Sequence, residues 1–412
     1  MDNLLIIHAS EIATPTGTSA ASGAAMNQLQ IIADGAIVIE DGKVRAVGAT
    51  ETVLHNFDRS NYHVIDASGK AIVPGFVDSH THFVFGGYRP DEFLMRLSGK
   101  SYMEIMEAGG GIENTVQATR ASSFDELYGS GMARLDEMLA FGVTTVEGKS
   151  GYGLDHDTEL KQLQVMKKLD ADHTVDVVPT FLGAHAVPRE FANRTSDYID
   201  FLIREVLPEV AATKLADYCD AFCEKGVISI EDSRRLLQKA EELGLRVKLH
   251  ADEIEQLGGA ELAAELGASS ADHLLEASQH GIDCLAEAGV VATLLPATAF
   301  CLNKPYAPAR QMIDHGCAVA LASDLNPGSC FTGSVPLIFS LACIYMHMSA
   351  SEALTAFTLN GAAALNRADR IGSIEPGKDA DLLFLKYPSY TYLVYNTAVN
   401  CVDRVIKKGK LV

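Results

Sequence analysis

Eight short apolar runs recur through the middle of the chain, at 72–77, 143–147, 175–181, 217–222, 247–249, 270–273, 290–295 and 319–322. Between them lie stretches with helical spacing, such as Phe124, Leu127, Tyr128, Leu135, Met138 and Leu139. Ser229 followed by Asp232 marks a helix start, and Gly244 after Leu243 marks a stop. Strands separated by helices pair in parallel, because a parallel neighbour needs a long crossover. Eight such units favour a closed (β/α)8 TIM barrel, with an open doubly wound sheet as the competing arrangement. A barrel places its chemistry at the C-terminal ends of its strands. Reactive residues are therefore expected just after the apolar runs.

The two ends of the chain read differently. Near the N-terminus, 4–8, 36–40 and 44–47 are short strands, with Asp34-Gly35 and Asp41-Gly42 as hairpin turn signals. Near the C-terminus, 381–385 and 402–406 are strands, and Lys408-Gly409 is a turn. Neither end has enough strands for a stable sheet alone. Both are expected to join in one small β-sandwich domain, giving an N-terminal part (1–69), a hydrolase barrel (70–366) and a C-terminal part (367–412). The Ala-, Ser-, Thr- and Gly-rich stretch 14–26 reads as a loop or a disordered insertion.

A length of 412 residues suits one large domain plus a smaller one. A formal charge of -21 repels phosphate backbones, so nucleic acid is an unsuitable partner. An anionic substrate would need a local cationic cluster. The start, MDNLLIIHAS, has no basic region or long apolar core, and the apolar stretch 335–346 is too short to span a membrane. Cys219, Cys223, Cys284, Cys301, Cys317, Cys330, Cys343 and Cys401 form no CxxC pair, which fits buried thiols in a reducing compartment. The expected location is the cytoplasm.

Reactive residues do follow the runs. After the first comes Asp78-Ser79-His80-Thr81-His82, where the alternation points both imidazoles of an extended segment the same way. The fifth ends in Leu249-His250-Ala251-Asp252-Glu253, the sixth in Asp272-His273, and the eighth in Ser323-Asp324-Leu325-Asn326-Pro327-Gly328. One such histidine is explained by a core hydrogen bond; four strand ends together are not. His80, His82, His250 and Asp324 offer three neutral nitrogens and a carboxylate, a donor set for one Zn(2+), or Fe(3+), per chain.

An HxH pair, a later His, another His and a final Asp resemble the amidohydrolase superfamily, as does the return segment Gly372-Ser373-Ile374-Glu375-Pro376-Gly377-Lys378-Asp379-Ala380-Asp381-Leu382. Within it, HTHFVFGGYRPDEF (80–93), GKSYMEI with AGGGI (99–112), KSGYGL (149–154), LGAHAVP (182–188), LHADE (249–253) and SDLNPGS (323–329) resemble the imidazolonepropionase family, over nearly the whole chain.

The resemblance implies opening of the cyclic amide of 4-imidazolone-5-propanoate by metal-activated water to give N-formimidoyl-L-glutamate, in histidine degradation. The substrate's carboxylate is expected to meet Arg89 through its planar fork, with Tyr102 and Tyr152 adding hydroxyl donors. The glycines flanking Tyr152 would let the backbone approach a ligand. His185 is expected to donate to the ring carbonyl oxygen. Glu253 is expected to move a proton between water and ring nitrogen. His273 would orient the water or be a metal ligand itself, and Asp324 or His273 would join the proton relay. Asn326, Gly328 and Ser329 could contact substrate or only shape a turn. The glycine-rich 108–112 segment is a candidate mobile loop, and a homodimer is allowed. The competing functions are deamination of a nitrogen heterocycle, which has less use for a carboxylate clamp, and a non-catalytic metal-binding protein.

Overall fold

The computed structural model describes residues 3–100, 104 and 110–412. Its centre is a ring of eight parallel strands in sequential order: Phe76–Asp78, Val143–Lys149, Asp176–Ala184, Tyr218–Cys223, Arg246–Ala251, Ser270–His273, Val291–Leu294 and Ala318–Leu321. Nearly every residue in them is buried. That is why they read as continuous apolar runs: helices cover one face and the barrel interior the other. The expected helix start holds: Ser229 caps Ile230–Glu242. Ser123 and Glu126 form a further, reciprocal cap on Phe124–Ala140.

The first and eighth strands do not meet in a regular ladder. They are joined just past their ends, where Asp324 N donates to His80 O and His82 N to Leu325 O, each at 2.9 Å. Asp78 reinforces the junction by accepting from Ser323 N at 2.9 Å. An open doubly wound sheet has no counterpart to these bonds.

The apolar run at 72–77 is not one strand. Ala71–Pro74 belongs to the terminal sheet and Phe76–Asp78 to the barrel. Gly75 is the hinge between them, and a Cβ there would lie 2.4 Å from Thr144 Oγ1.

Both chain ends do join, in a single hydrogen-bonded sheet of eight strands. The path runs Lys410–Leu411, Val402–Lys407, Leu382–Leu385, Ala71–Pro74, Leu4–Thr14, Gln30–Glu40 and Lys43–Ala49, with His63–Asp66 beside Leu4–Thr14. Where the sequence suggested a sandwich, one continuous sheet carries apolar clusters on its two faces. Asp41-Gly42 and Lys408-Gly409 are the expected turns. Asp34-Gly35 is not: it lies inside Gln30–Glu40, opposite a register shift between Ile6 and Ala9. Asp34 and His8 both take positive φ there, and His8 Nδ1 sits 2.9 Å from Asp34 Oδ1. The left-handed tolerance of Asp thus serves a bulge rather than a hairpin.

The stretch 14–26 is ordered, which corrects the alternative of a disordered insertion. Ala20 and Ala21 pack beneath the barrel, against Val291, Ala320, Ala364 and Tyr218. The buried side chain of Asn360 holds the backbone there: it accepts from Ala21 N at 2.8 Å and donates to Ala21 O and Val319 O at 2.9 and 2.8 Å. Asn360→Ala removes all three bonds and leaves buried groups unpaired. It is expected to cost about 3 kcal/mol of stability, read from chemical denaturation.

Candidate active site and metal centre

The HTH segment is held extended from both sides. Thr81 Oγ1 donates to Glu147 O at 2.6 Å, and Lys149 N donates to Thr81 O at 2.9 Å. His80 and His82 therefore project inward together, as their spacing suggested. His250 comes from the fifth strand and Asp324 from just beyond the eighth. His250 Nε2 lies 3.4 Å from His82 Nε2, and Asp324 Oδ1 lies 3.6 Å from Nε2 of both His80 and His82. Ligands about 2.1 Å from an ion at the corners of a tetrahedron would stand about 3.4 Å apart.

Two of these atoms, His80 Nε2 and Asp324 Oδ1, are buried without a hydrogen-bond partner. Burial, reinforced by Lys149 and the neighbouring imidazoles, holds His80, His82 and His250 well below the ordinary histidine range, so they are neutral and could serve as ligands. Asp324 is pushed up to about 7, mainly by burial. A buried cation would supply the charge that it lacks, while Thr298 Oγ1 fixes its other oxygen at 2.6 Å. The donor set fits a divalent or trivalent metal.

Behind the imidazoles lies a buried charge network. Asp272 accepts from His80 Nδ1 at 2.6 Å, and Asp220 Oδ2 approaches His250 Nδ1 at 2.9 Å. Lys149 reaches Asp220 at 2.7 Å, Glu147 at 3.1 Å and Asp272 at 3.5 Å; Lys248 reaches Glu147 at 2.7 Å. Burial alone would lower Lys149, but the carboxylates of Asp220, Glu147 and Asp272 outweigh it and keep it charged.

Sequence reasoning passed over this network. The signal was present: Glu147 and Lys149, Lys248 and His250, and Ser270 and Asp272 are each two apart within apolar strands, so each pair shares the inward face. Carboxylates of this kind fix imidazole tautomers. Asp272→Asn is expected to weaken metal retention by about 10- to 100-fold, measured as metal content against a competing chelator.

Around the cluster stand Glu253, His273, His185 and Tyr152. Burial, with the charges of Asp324 and Glu224, pushes Glu253 up to about 8. Its Oε2 lies 3.5 Å from His273 Nε2. His273 ends the sixth strand with its ring centroid 5.2 Å from that of His250 and 5.4 Å from that of His80. It stands outside the three-histidine group.

His185 overlies His82 with ring centroids 4.9 Å apart, and burial lowers it to about 4. Its Nδ1 is 3.0 Å from Gly151 O, which can only accept. The neutral ring's single proton is therefore spent, and Nε2 is left as an acceptor. In this tautomer the expected donation to the carbonyl oxygen would need the imidazolium, which burial disfavours.

Tyr152 is buried 5.3 Å from the His185 ring, and burial raises its phenol, keeping it a donor. Its flanking glycines also serve the loop itself. Gly151, Gly153 and Leu154 turn their N–H groups on the Glu159 carboxylate at 2.9–3.2 Å, and a Cβ on Gly151 would meet Leu182 O at 2.8 Å.

Arg89 lies at the start of the helix Pro90–Leu97, about nine-tenths buried, with its Nη1 3.3 Å from Glu92 Oε2. Gly328 packs directly on it. Asn326 spends its side chain on the loop: Oδ1 accepts from Gly328 N and Ser329 N at 2.8 and 2.7 Å, and Nδ2 donates to Asp324 O and Ser329 Oγ at 2.7 and 2.9 Å. It shapes the turn that presents Asp324 and Gly328. Tyr102 lies outside the described residues, as does part of the 108–112 segment.

Comparison with known proteins agrees with this geometry. The amidohydrolase family profile matches residues 71–412. An imidazolonepropionase of Parabacteroides distasonis is 60% identical over 408 residues, covering 99% of this chain and 98% of that protein. One of Clostridium tetani is 58% identical over 410 residues, covering 100% and 98%. Among solved structures, a triazine hydrolase variant superposes with a TM-score of 0.79 at 18% identity, covering 99% of this chain and 94% of that one. A zinc-bound adenosine deaminase of Xanthomonas campestris gives 0.69 at 20% identity, covering 99% and 92%. The structural likenesses show the shared fold. The whole-length identities go further: the chain belongs to the amidohydrolase family and, within it, to the imidazolonepropionases.

Proposed function

We propose that this protein opens the ring of 4-imidazolone-5-propanoate by hydrolysis to N-formimidoyl-L-glutamate, as a cytoplasmic step of histidine degradation. Full-length identity to proteins named for that activity carries the reading, and the site is consistent with it. We assign one zinc or iron(III) ion to His80, His82, His250 and Asp324. Bound there, the ion would polarise the ring carbonyl and acidify a water.

The chain's own residues supply the rest. Arg89 holds the propionate, with Tyr152 as a neutral hydroxyl donor beside it. His185 receives a ring N–H at Nε2, fixing which face of the flat ring is presented. Glu253 takes a proton from the attacking water and returns it to the leaving ring nitrogen as the C–N bond breaks. A carboxyl pushed up to about 8 is matched to both halves of that exchange near neutrality. His273, 3.5 Å away, keeps it aimed.

Arg89 disfavours the deaminase alternative, because a heterocycle without a carboxylate leaves this guanidinium unused. The test is disappearance of the imidazolone absorbance on adding metal-loaded protein, with N-formimidoyl-L-glutamate appearing in equal amount. Full metal occupancy with no turnover of this substrate, but release of ammonia from a nitrogen heterocycle, would replace the reading. Among the described residues no helix is long and apolar enough to cross a membrane.

A further inference from the structure

Arg89 and Arg96 are seven residues apart, two turns along one helical face. Both reach the same glycine. Arg96 Nη2 donates to Gly328 O at 3.0 Å, while Arg89 Nη2 occupies the space where a Gly328 Cβ would stand, 1.9 Å from that position. Two guanidinium groups thus meet over one residue, four positions beyond Asp324.

Their neutralisation is incomplete. Glu92 is the carboxylate beside them, 3.3 Å from Arg89 Nη1. It already accepts from Gly111 N at 3.0 Å and from Asn114 Nδ2 at 3.2 Å. Arg89 Nε and Arg96 Nη1 are buried without a hydrogen-bond partner among the described residues. Burial and the nearby Arg89 charge both weaken Arg96's hold on its proton. Unpaired buried donors on adjacent, partly buried cations are costly in isolation and favourable once an anion arrives. A prop for the Gly328 turn would need a single N–H from Arg96 and would not account for the open Nη1. A carboxylate has two oxygens that two forks can share.

We infer that Arg96 is a second binding residue for the substrate's carboxylate, closing a two-guanidinium clamp with Arg89 above Gly328. The inference rests on the reading that the substrate carries a propionate. Arg96 thereby becomes a determinant of specificity for the acid over neutral relatives of the same ring.

The experiment compares kcat/KM for the propionate substrate and for its propionamide analogue, in the wild type and in Arg96→Gln. The expected result is a fall of about 10- to 100-fold in the preference for the acid, with the loss in KM and partial recovery in Arg96→Lys. An unchanged preference, whatever the change in rate, would mean that Arg96 only props the turn. A wild type inert on both compounds would overturn the functional reading instead. Calorimetry with glutarate then decides the clamp: binding weakened at least about tenfold in Arg96→Gln upholds it, and equal binding sinks it.

Discussion

Replacing His250 with alanine will abolish ring opening, by about 10⁴-fold or more, and will strip the protein of its metal. Nitrogens of His80, His82 and His250 lie within 4.8 Å of one another, with Asp324 Oδ1 3.6 Å from the first two, and His250 Nε2 is 3.4 Å from His82 Nε2. Its removal leaves two imidazoles and a carboxylate. Asp220 Oδ2, 2.9 Å from the ring, keeps its ion pair with Lys149 at 2.7 Å, so the loss falls on the metal site rather than on the charge network. Metal analysis of dialysed protein and the absorbance assay read the two losses separately. His280→Ala, on an exposed helix beside Cys284, is the control that should keep both.

Glu253→Gln is the second large effect, and it should separate catalysis from stability. The amide cannot carry a proton, so kcat/KM is expected to fall by about 10²- to 10⁴-fold while metal content stays whole. In the wild type kcat/KM should decline as pH drops through the Glu253 midpoint. That midpoint lies below about 8 once a cation offsets the Asp324 charge, because Asp324 is one of the causes that raise it. The variant should lose this acid limb.

Stability should move the other way. A carboxyl raised on folding binds its proton more tightly in the folded than in the unfolded protein. Its burial therefore costs nothing below the unfolded value of 4.5 and progressively more as pH rises towards 8. Metal-free Glu253→Gln should melt a few degrees above metal-free wild type at pH 8.5, and at the same temperature near pH 4.5. Equal melting at both pH values would mean that Glu253 is solvated rather than buried.

Much of this could be read before the fold was known, for a physical reason. Parallel barrel strands are buried on both faces, so runs such as 143–147 and 270–273 stand out, and strand ends place His80, His82, His250 and Asp324 by rule. The misses share a different cause. The strand at 72–77 is broken only because Gly75 must pass close to Thr144, which no local pattern announces. Asp34-Gly35 offers left-handed backbone to a turn or to a bulge, and the partner strand decides between them. The hydrogen-bonding sense of His185 is not legible because its tautomer depends on Gly151 O, a contact between the ends of neighbouring strands. Lys149 and Lys248 were overlooked because buried lysine is rare without partners, and most of the partners sit on other strands.

The junction between the first and eighth strands would give a bound metal a second duty. Backbone bonds from Asp324 to His80 and from His82 to Leu325 hold the ring together there, and three of those four residues belong to the proposed metal centre. An ion held by them would be a rivet through the hoop as well as a reagent.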